Sequence, residues 1–238
     1  MFMSQIIVQI REELKANVDS QTKAGGKRYF KEAITIYGVK TSIVHKISCK
    51  NWPKIERLPK KDIFALCDEL FSSGVMEEAF IAAYWLPKIT EQFEQKDLVI
   101  FERWIDCYLD NWAVCDSFCN HTVGNFMMKF PNQVEVLMGW AKSNNRWLRR
   151  AAAVTLIVPA RKGLFLEQAL KISDLLLVDS DDLVQKGYGW LLKVQTEKYP
   201  KEILAYVMKN KSTMPRTALR YAIEKLSKEQ KTLAMKKN

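Results

Sequence analysis

A tryptophan and an aspartate stand four residues apart in DNWAVCDSF, as Trp112 and Asp116. Residues four apart on a helix share a face, so an aromatic plane and a carboxylate would stand side by side. That pairing suits a cation. Farther along, RWLRRAA carries Arg149 and Arg150, and KGYGW carries Lys186 and Trp190, which adds positive charge and a second large aromatic. Together these residue types suit a cationic group held beside a polyanion.

Each residue also has a plainer reading. Taken singly, Trp112 and Trp190 read equally well as core aromatics of amphipathic helices. Asp116 fits a core poorly, because a carboxylate among Val114, Phe118 and Cys119 costs roughly several kcal/mol to bury unless it is paired or partly wet. A partner lysine or arginine in a neighbouring helix would satisfy it structurally. Cys115, Cys119 and His121 do not make a zinc site, since no CxxC or HxxxH spacing is present and position 121 turns away from the face shared by 115 and 119. Neither Gly25-Gly26 nor Gly187-Tyr188-Gly189 belongs to a phosphate loop with its Lys and Ser or Thr. No metal and no cofactor is expected.

The elements that must position these residues are helices. Segments such as IIVQIREELKANV, KDIFALCDELF and KEILAYVMKN place apolar residues three and four apart, whereas strand patterns are scarce. Proline and glycine collect at candidate boundaries, in NWPKIERLPK, KFPN, VPARKG, KYPK and TMPR. Candidate helix-start caps stand at Ser73, Asp110, Ser143, Ser180 and Ser212, spaced by 37, 33, 37 and 32 residues. A period near 35 with two helices per unit predicts an all-α fold, a superhelical solenoid of HEAT-like repeats with a concave basic face. One domain over residues 1–238 is expected, with N-terminal helices in 1–72 and repeats from the five caps onward. Aligning the repeats by their caps puts Trp112 two residues in, Asp116, Arg149 and Lys186 six in, Arg150 seven in and Trp190 ten in, steps of about four that keep these side chains roughly on one face of the second helix of each pair.

The 238 residues are 48% hydrophobic, enough for a substantial core. Thirty-seven basic against 27 acidic side chains give +10, and the imbalance is local. Residues 1–141 hold 17 basic and 18 acidic side chains, and residues 142–238 hold 20 and 9, so the excess lies in the C-terminal two-fifths. That distribution suits a surface that tracks phosphates; the plain alternative is a solvated basic face. No apolar run reaches the length of a membrane span, and MFMSQIIVQI lacks a basic leader and a cleavage site, so a cytoplasmic protein off the membrane is expected. Five cysteines without a paired framework fit a reducing compartment.

WxxxD at Trp112 to Asp116, RWLRRAA around Arg150 and GYGW ending at Trp190 occur in the order and spacing of a known family. With YGVKT from Tyr37 and the C-terminal PRTALRYAIEKL, they make the chain resemble the AlkD-like family of bacterial DNA alkylpurine glycosylases over nearly its whole length. The resemblance implies HEAT-like repeats and excision of cationic N3- or N7-alkylated purines from duplex DNA by hydrolysis of the N-glycosidic bond. It assigns Asp116, Trp112 and Trp190 to the catalytic cluster. Arg150 becomes the DNA-holding arginine; Arg149, Lys186, Lys40 and Thr41 are further DNA-binding positions, and Arg161, Lys162, Arg216 and Arg220 are candidates to extend the backbone track. It also implies alkylated double-stranded DNA as the partner, a monomer, and a bacterial cytoplasmic setting on the nucleoid. One stretch departs from the pattern. Active members press an N-terminal helix into the minor groove, and here that stretch is DSQTKAGGKRYFK, where Gly25 and Gly26 each cost about 1 kcal/mol in a helix interior. That helix is expected to be short, broken or absent. A non-catalytic repeat protein that recognises branched or distorted DNA therefore stays open, as does a protein scaffold with a peptide groove.

Overall fold

The computed structural model describes residues 2–236, and the side chains of all of these except Phe2 and Lys27. The described residues are helical apart from turns, loops and a single isolated bridge between Thr35 and Val75, as the apolar spacing predicts. The chain divides into two compact units, Met1–Phe118 and Cys119–Asn238. The first holds α1 (Phe2–Ala16), α2 (Ser20–Tyr29), α3 (Thr41–Asn51), α4 (Lys60–Ser72), α5 (Met76–Trp85), α6 (Leu98–Tyr108) and α7 (Trp112–Phe118). The second opens with a π-helical turn, Cys119–Val123, and continues through α8 (Gly124–Lys129), α9 (Val136–Trp140), α10 (Arg146–Val154) and α11 (Ile157–Arg161). It ends with α12 (Leu166–Leu175), α13 (Asp182–Gln195), α14 (Pro200–Asn210), α15 (Arg216–Ala222) and α16 (Lys228–Met235).

Within the first unit α3, α5 and α7 pack in succession, while α4 packs on α5 and α6. The second unit repeats the scheme, with α10, α13 and α15 forming one row and α12 lying against both α9 and α13. Each helix buries one face against a neighbour of its own row and another against its pair, which is how repeat units without private cores are stabilised.

The helix starts differ in detail from the expected caps. Ser73 closes α4, and its hydroxyl accepts the Val75 N–H. Asn111, rather than Asp110, accepts the Val114 N–H at the start of α7. Asn145 caps α10 by accepting the Trp147 N–H, while Ser143 two residues upstream accepts the Asn145 N–H instead. Asp181, beside Ser180, caps α13 through the N–H groups of Leu183 and Val184. Ser212 lies four residues before the first residue of α15, which follows Pro215. Asn145 and Asp181 reach the first-turn N–H groups from an extended backbone, and Ser143 and Asp179 brace the turns that deliver them by accepting the Asn145 and Asp181 N–H groups.

The core of the first unit is aromatic. Phe118 meets Phe71, Phe101 and Trp104 at ring-centroid separations of 5.3, 5.8 and 5.9 Å, and the Trp104 indole donates to Asp68 Oδ1 at 2.6 Å. In the second unit α13 and α15 come so close that a Cβ on Gly189 would stand 2.8 Å from the Ala218 carbonyl oxygen and 2.8 Å from Tyr221 Cβ. A Cβ on Gly187, one half-turn earlier, would make only an ordinary 3.5 Å contact with Arg150 Cγ. Gly189→Ala should therefore lower stability by on the order of 1–2 kcal/mol, because overpacking against backbone outweighs the gain in helix propensity. Gly187→Ala should leave stability unchanged or raise it by up to ~1 kcal/mol. Thermal melts of the two variants beside wild type give the comparison.

Candidate functional site

Helix α7 buries Val114, Cys115 and Phe118, with Asn111 just before it, the set that the three-and-four spacing directs into the aromatic core. Trp112 and Asp116 consequently fall on the other face, and both are partly exposed. Trp112 is thus no core aromatic; that part is played by Trp85, Trp104 and Trp140, which are buried.

The Trp112 ring has company that spacing could not reveal. Phe30 stacks on it with centroids 5.5 Å apart and planes at 26°, and Tyr29 lies 5.9 Å away at 57°. Tyr29 itself is 71% exposed. Both come from the end of α2, the helix whose glycines predict interruption. Instead it runs unbroken from Ser20 to Tyr29, because Asp19 caps it through the Thr22 N–H at 2.6 Å and its flank docks on the following loop. Gly26 is what permits that docking, since a Cβ there would stand 2.8 Å from Ile36 Cδ1. The aromatic pair closing the polar stretch DSQTKAGGKRYF is the sequence signal of a docked end.

Lys40 and Thr41, at the start of α3, are exposed. Two acids of α5 hold the segment that leads to them. Glu77, 2% exposed, accepts the N–H groups of Tyr37, Gly38 and Val39 at 3.1, 2.8 and 3.0 Å. Glu78 accepts the Tyr37 hydroxyl at 2.7 Å and pairs with Arg11 at 3.0 Å. The two carboxylates of MEEAF are thus the anchors of YGVKT.

In the second unit, α13 buries Leu183, Val184, Gly187, Tyr188, Leu191 and Leu192, which leaves Lys186, Trp190 and Lys193 partly exposed along one side. Lys186 pairs with Asp182 at 3.0 Å. Lys193, which lies outside the KGYGW motif, pairs with Glu224 at 2.9 Å and lies over the Tyr221 ring. The arginines of α10 turn toward the start of α13. Arg146 pairs with Asp181, and Arg149 pairs with Asp179, both at 2.7 Å. Arg149 also donates to the Ser143 and Asn144 carbonyls. Arg150 is only 5% exposed, runs past Gly187 and donates to the Leu183 carbonyl. The RWLRRAA arginines thus bind α10 to α13, in addition to whatever they offer a ligand. Among the described residues no group of three or more His, Cys, Asp or Glu side chains is placed to hold a metal ion. No described helix is long and apolar enough to cross a membrane.

Helix pairs stacked in rows within each unit define an all-helical repeat protein. The family model described as DNA alkylation repair enzyme matches residues 10–226, and the chain belongs to that family. Solved structures share the fold. A predicted DNA alkylation repair enzyme from Enterococcus faecalis is similar with a TM-score of 0.80 at 15% identity, covering 89% of this chain and 98% of that one. AlkD2 from Streptococcus mutans is similar with a TM-score of 0.65 at 17% identity, over 94% and 99% of the two chains. The Pseudomonas fluorescens alkylpurine DNA glycosylase AlkC, bound to DNA containing an abasic site analog, has a TM-score of 0.53 at 16% identity, over 97% of this chain and 66% of that one. No curated protein sequence gives a significant match.

The Tyr37 contact makes a pH-dependent prediction. Burial first, and then the hydrogen bond and charge of Glu78, push the Tyr37 phenol up from 10.0 to about 12. A phenol whose folded value is raised contributes stability that is fully present below pH 10 and is lost as pH rises through about 12. Tyr37→Phe should lose about 1–2 kcal/mol near neutrality through the missing hydrogen bond, and should decline less steeply than wild type between pH 10 and 12. Denaturant melts of both proteins across that window report the difference.

Proposed function

We propose that the protein is a DNA glycosylase that hydrolyses the N-glycosidic bond of cationic N3- or N7-alkylated purines in duplex DNA. The observation that carries this reading is the open face of α7, where Trp112 and Asp116 stand one helical turn apart and both reach solvent. Family membership and the likeness to a glycosylase solved on abasic-site DNA support it.

The chemistry asks little of an acid. An alkylated purine already bears positive charge and departs as a neutral base, so the protein's task is the sugar. Bond cleavage gives the deoxyribose oxocarbenium character, which the Asp116 carboxylate stabilises while orienting the attacking water. Trp112 offers its ring face to the cationic nucleotide, a contact worth ~0.5–2 kcal/mol. The resemblance assigns Trp190 of the second unit to the same set. Arg150, with Arg149, Lys186, Lys40 and Thr41, serves the phosphate backbone, which sets register and carries no sequence information. Because Arg150 and Arg149 are already engaged on α13 and the turn before it, their contribution to DNA binding is inseparable from their hold on that helix.

One observation favours a second reading, a non-catalytic member that recognises branched or distorted DNA. Phe30 stacks on Trp112, occupying ring surface that a substrate would use. Gel-shift affinities for linear, nicked and four-way DNA address it, and equal weak binding to all three counts against structural selectivity.

The deciding assay measures base released from DNA containing 7-methylguanine at enzyme excess. Wild type should release the base, Asp116→Asn should be slower by on the order of 10²–10³-fold, and Trp112→Ala by roughly 2- to 30-fold. Absence of release by wild type from any methylated substrate would sink the glycosylase reading.

A further inference from the structure

The cations of the second unit fall into two groups. Arg146, Arg149, Lys171, Lys186 and Lys193 each have a carboxylate partner within 3.0 Å. Another set has no such partner among the described residues. Lys211, Arg216 and Lys236 converge with Ser212 on an open cleft of about 720 Å³ between the end of α14, the start of α15 and the end of α16. No acidic residue lines it among the described residues. Within the cleft the Lys211 ammonium donates to the Lys236 carbonyl at 3.1 Å.

Like charges that converge without a carboxylate repel one another, whereas Lys225, at 3.8 Å from Glu197, joins the five paired cations above. A cleft built this way is completed by an anion. Arginine and lysine beside a hydroxyl supply the donors that phosphate oxygens accept. Arg220, exposed and without a carboxylate partner among the described residues, stands one turn beyond Arg216 on α15 and continues the row of charge out of the cleft. The helix that carries both arginines, α15, packs directly on α13, the helix of Lys186 and Trp190. A linear succession of cations suits a polymer with regularly repeated phosphates better than one small anion.

We infer that this C-terminal cleft, with Arg220, is a phosphodiester-binding site through which the second unit holds the DNA backbone. The inference rests on the DNA-binding part of the function proposed above.

The test is the salt dependence of binding to an undamaged fluorescent duplex, read by anisotropy. Wild type is compared with the triple variant Lys211→Gln, Arg216→Gln, Lys236→Gln, and with Lys171→Gln, whose lysine is paired with Glu167. Removing one cation from a phosphate should flatten the plot of log affinity against log salt by about 0.9, so the triple variant should be shallower by about 2–3 and the control unchanged. Thermal melts establish that the triple variant remains folded. Equal slopes for wild type and a folded triple variant would overturn the inference while leaving the DNA reading in place. Equal slopes together with a stabilisation of wild type alone by inorganic phosphate would reassign the cleft to a small anion and also overturn it. No binding of wild type to duplex at any salt would overturn both.

Discussion

Burial of Phe118 among Phe71, Phe101 and Trp104 is the constraint on which the open face of the first unit depends. A seven-residue helix cannot hold its own rotation, because so short a segment makes few internal hydrogen bonds and is only marginally stable alone. The aromatic contacts supply what the backbone lacks. With Phe118 locked into the cluster, Val114 and Cys115 must follow it inward, and the same geometry leaves Trp112 and Asp116 outside. An aspartate at position 116 is then compatible with a well-packed unit, since its carboxylate keeps contact with water and avoids the cost of full desolvation.

Electrostatics divide the chain along the same line as packing. Counting over the two compact units, residues 1–118 carry net −1 and residues 119–238 net +11. Two acids of the first unit face inward: Glu77 and Glu78 are buried and tie the approach to α3 onto α5. In the second unit, acids at the turn before α13 engage the α10 arginines, and many of the remaining cations are left to the surface. Asp181 does both kinds of work at once, capping α13 and pairing with Arg146.

The stretch around Gly25 and Gly26 shows how context reverses a local preference. Two consecutive glycines weaken a helix by about 2 kcal/mol in isolation. Here the Asp19 cap and the flush approach of Gly26 to Ile36 offset that cost, and the helix delivers Tyr29 and Phe30 to Trp112. Glycine serves as a contact surface at this point, not as a break. The same use recurs at Gly189, where α13 meets α15.

Much of this was legible in the order of residues. Apolar spacing of three and four is a direct record of helices burying one face, so the all-helical class and the near-35-residue recurrence could be read without coordinates, as could the shared face of Trp112 and Asp116. The charge imbalance was equally plain, being a matter of counting. What could not be read were relations between residues distant along the chain: Phe30 against Trp112, Glu77 under Tyr37 to Val39, Arg150 turned onto the Leu183 carbonyl, and Lys211, Arg216 and Lys236 gathered into one cleft. Helical periodicity fixes which side of a helix is apolar, but it is indifferent to what stands opposite. Which arginine is committed to a neighbouring helix and which is left for an anion follows from the packing of those helices, and a linear pattern carries no record of that.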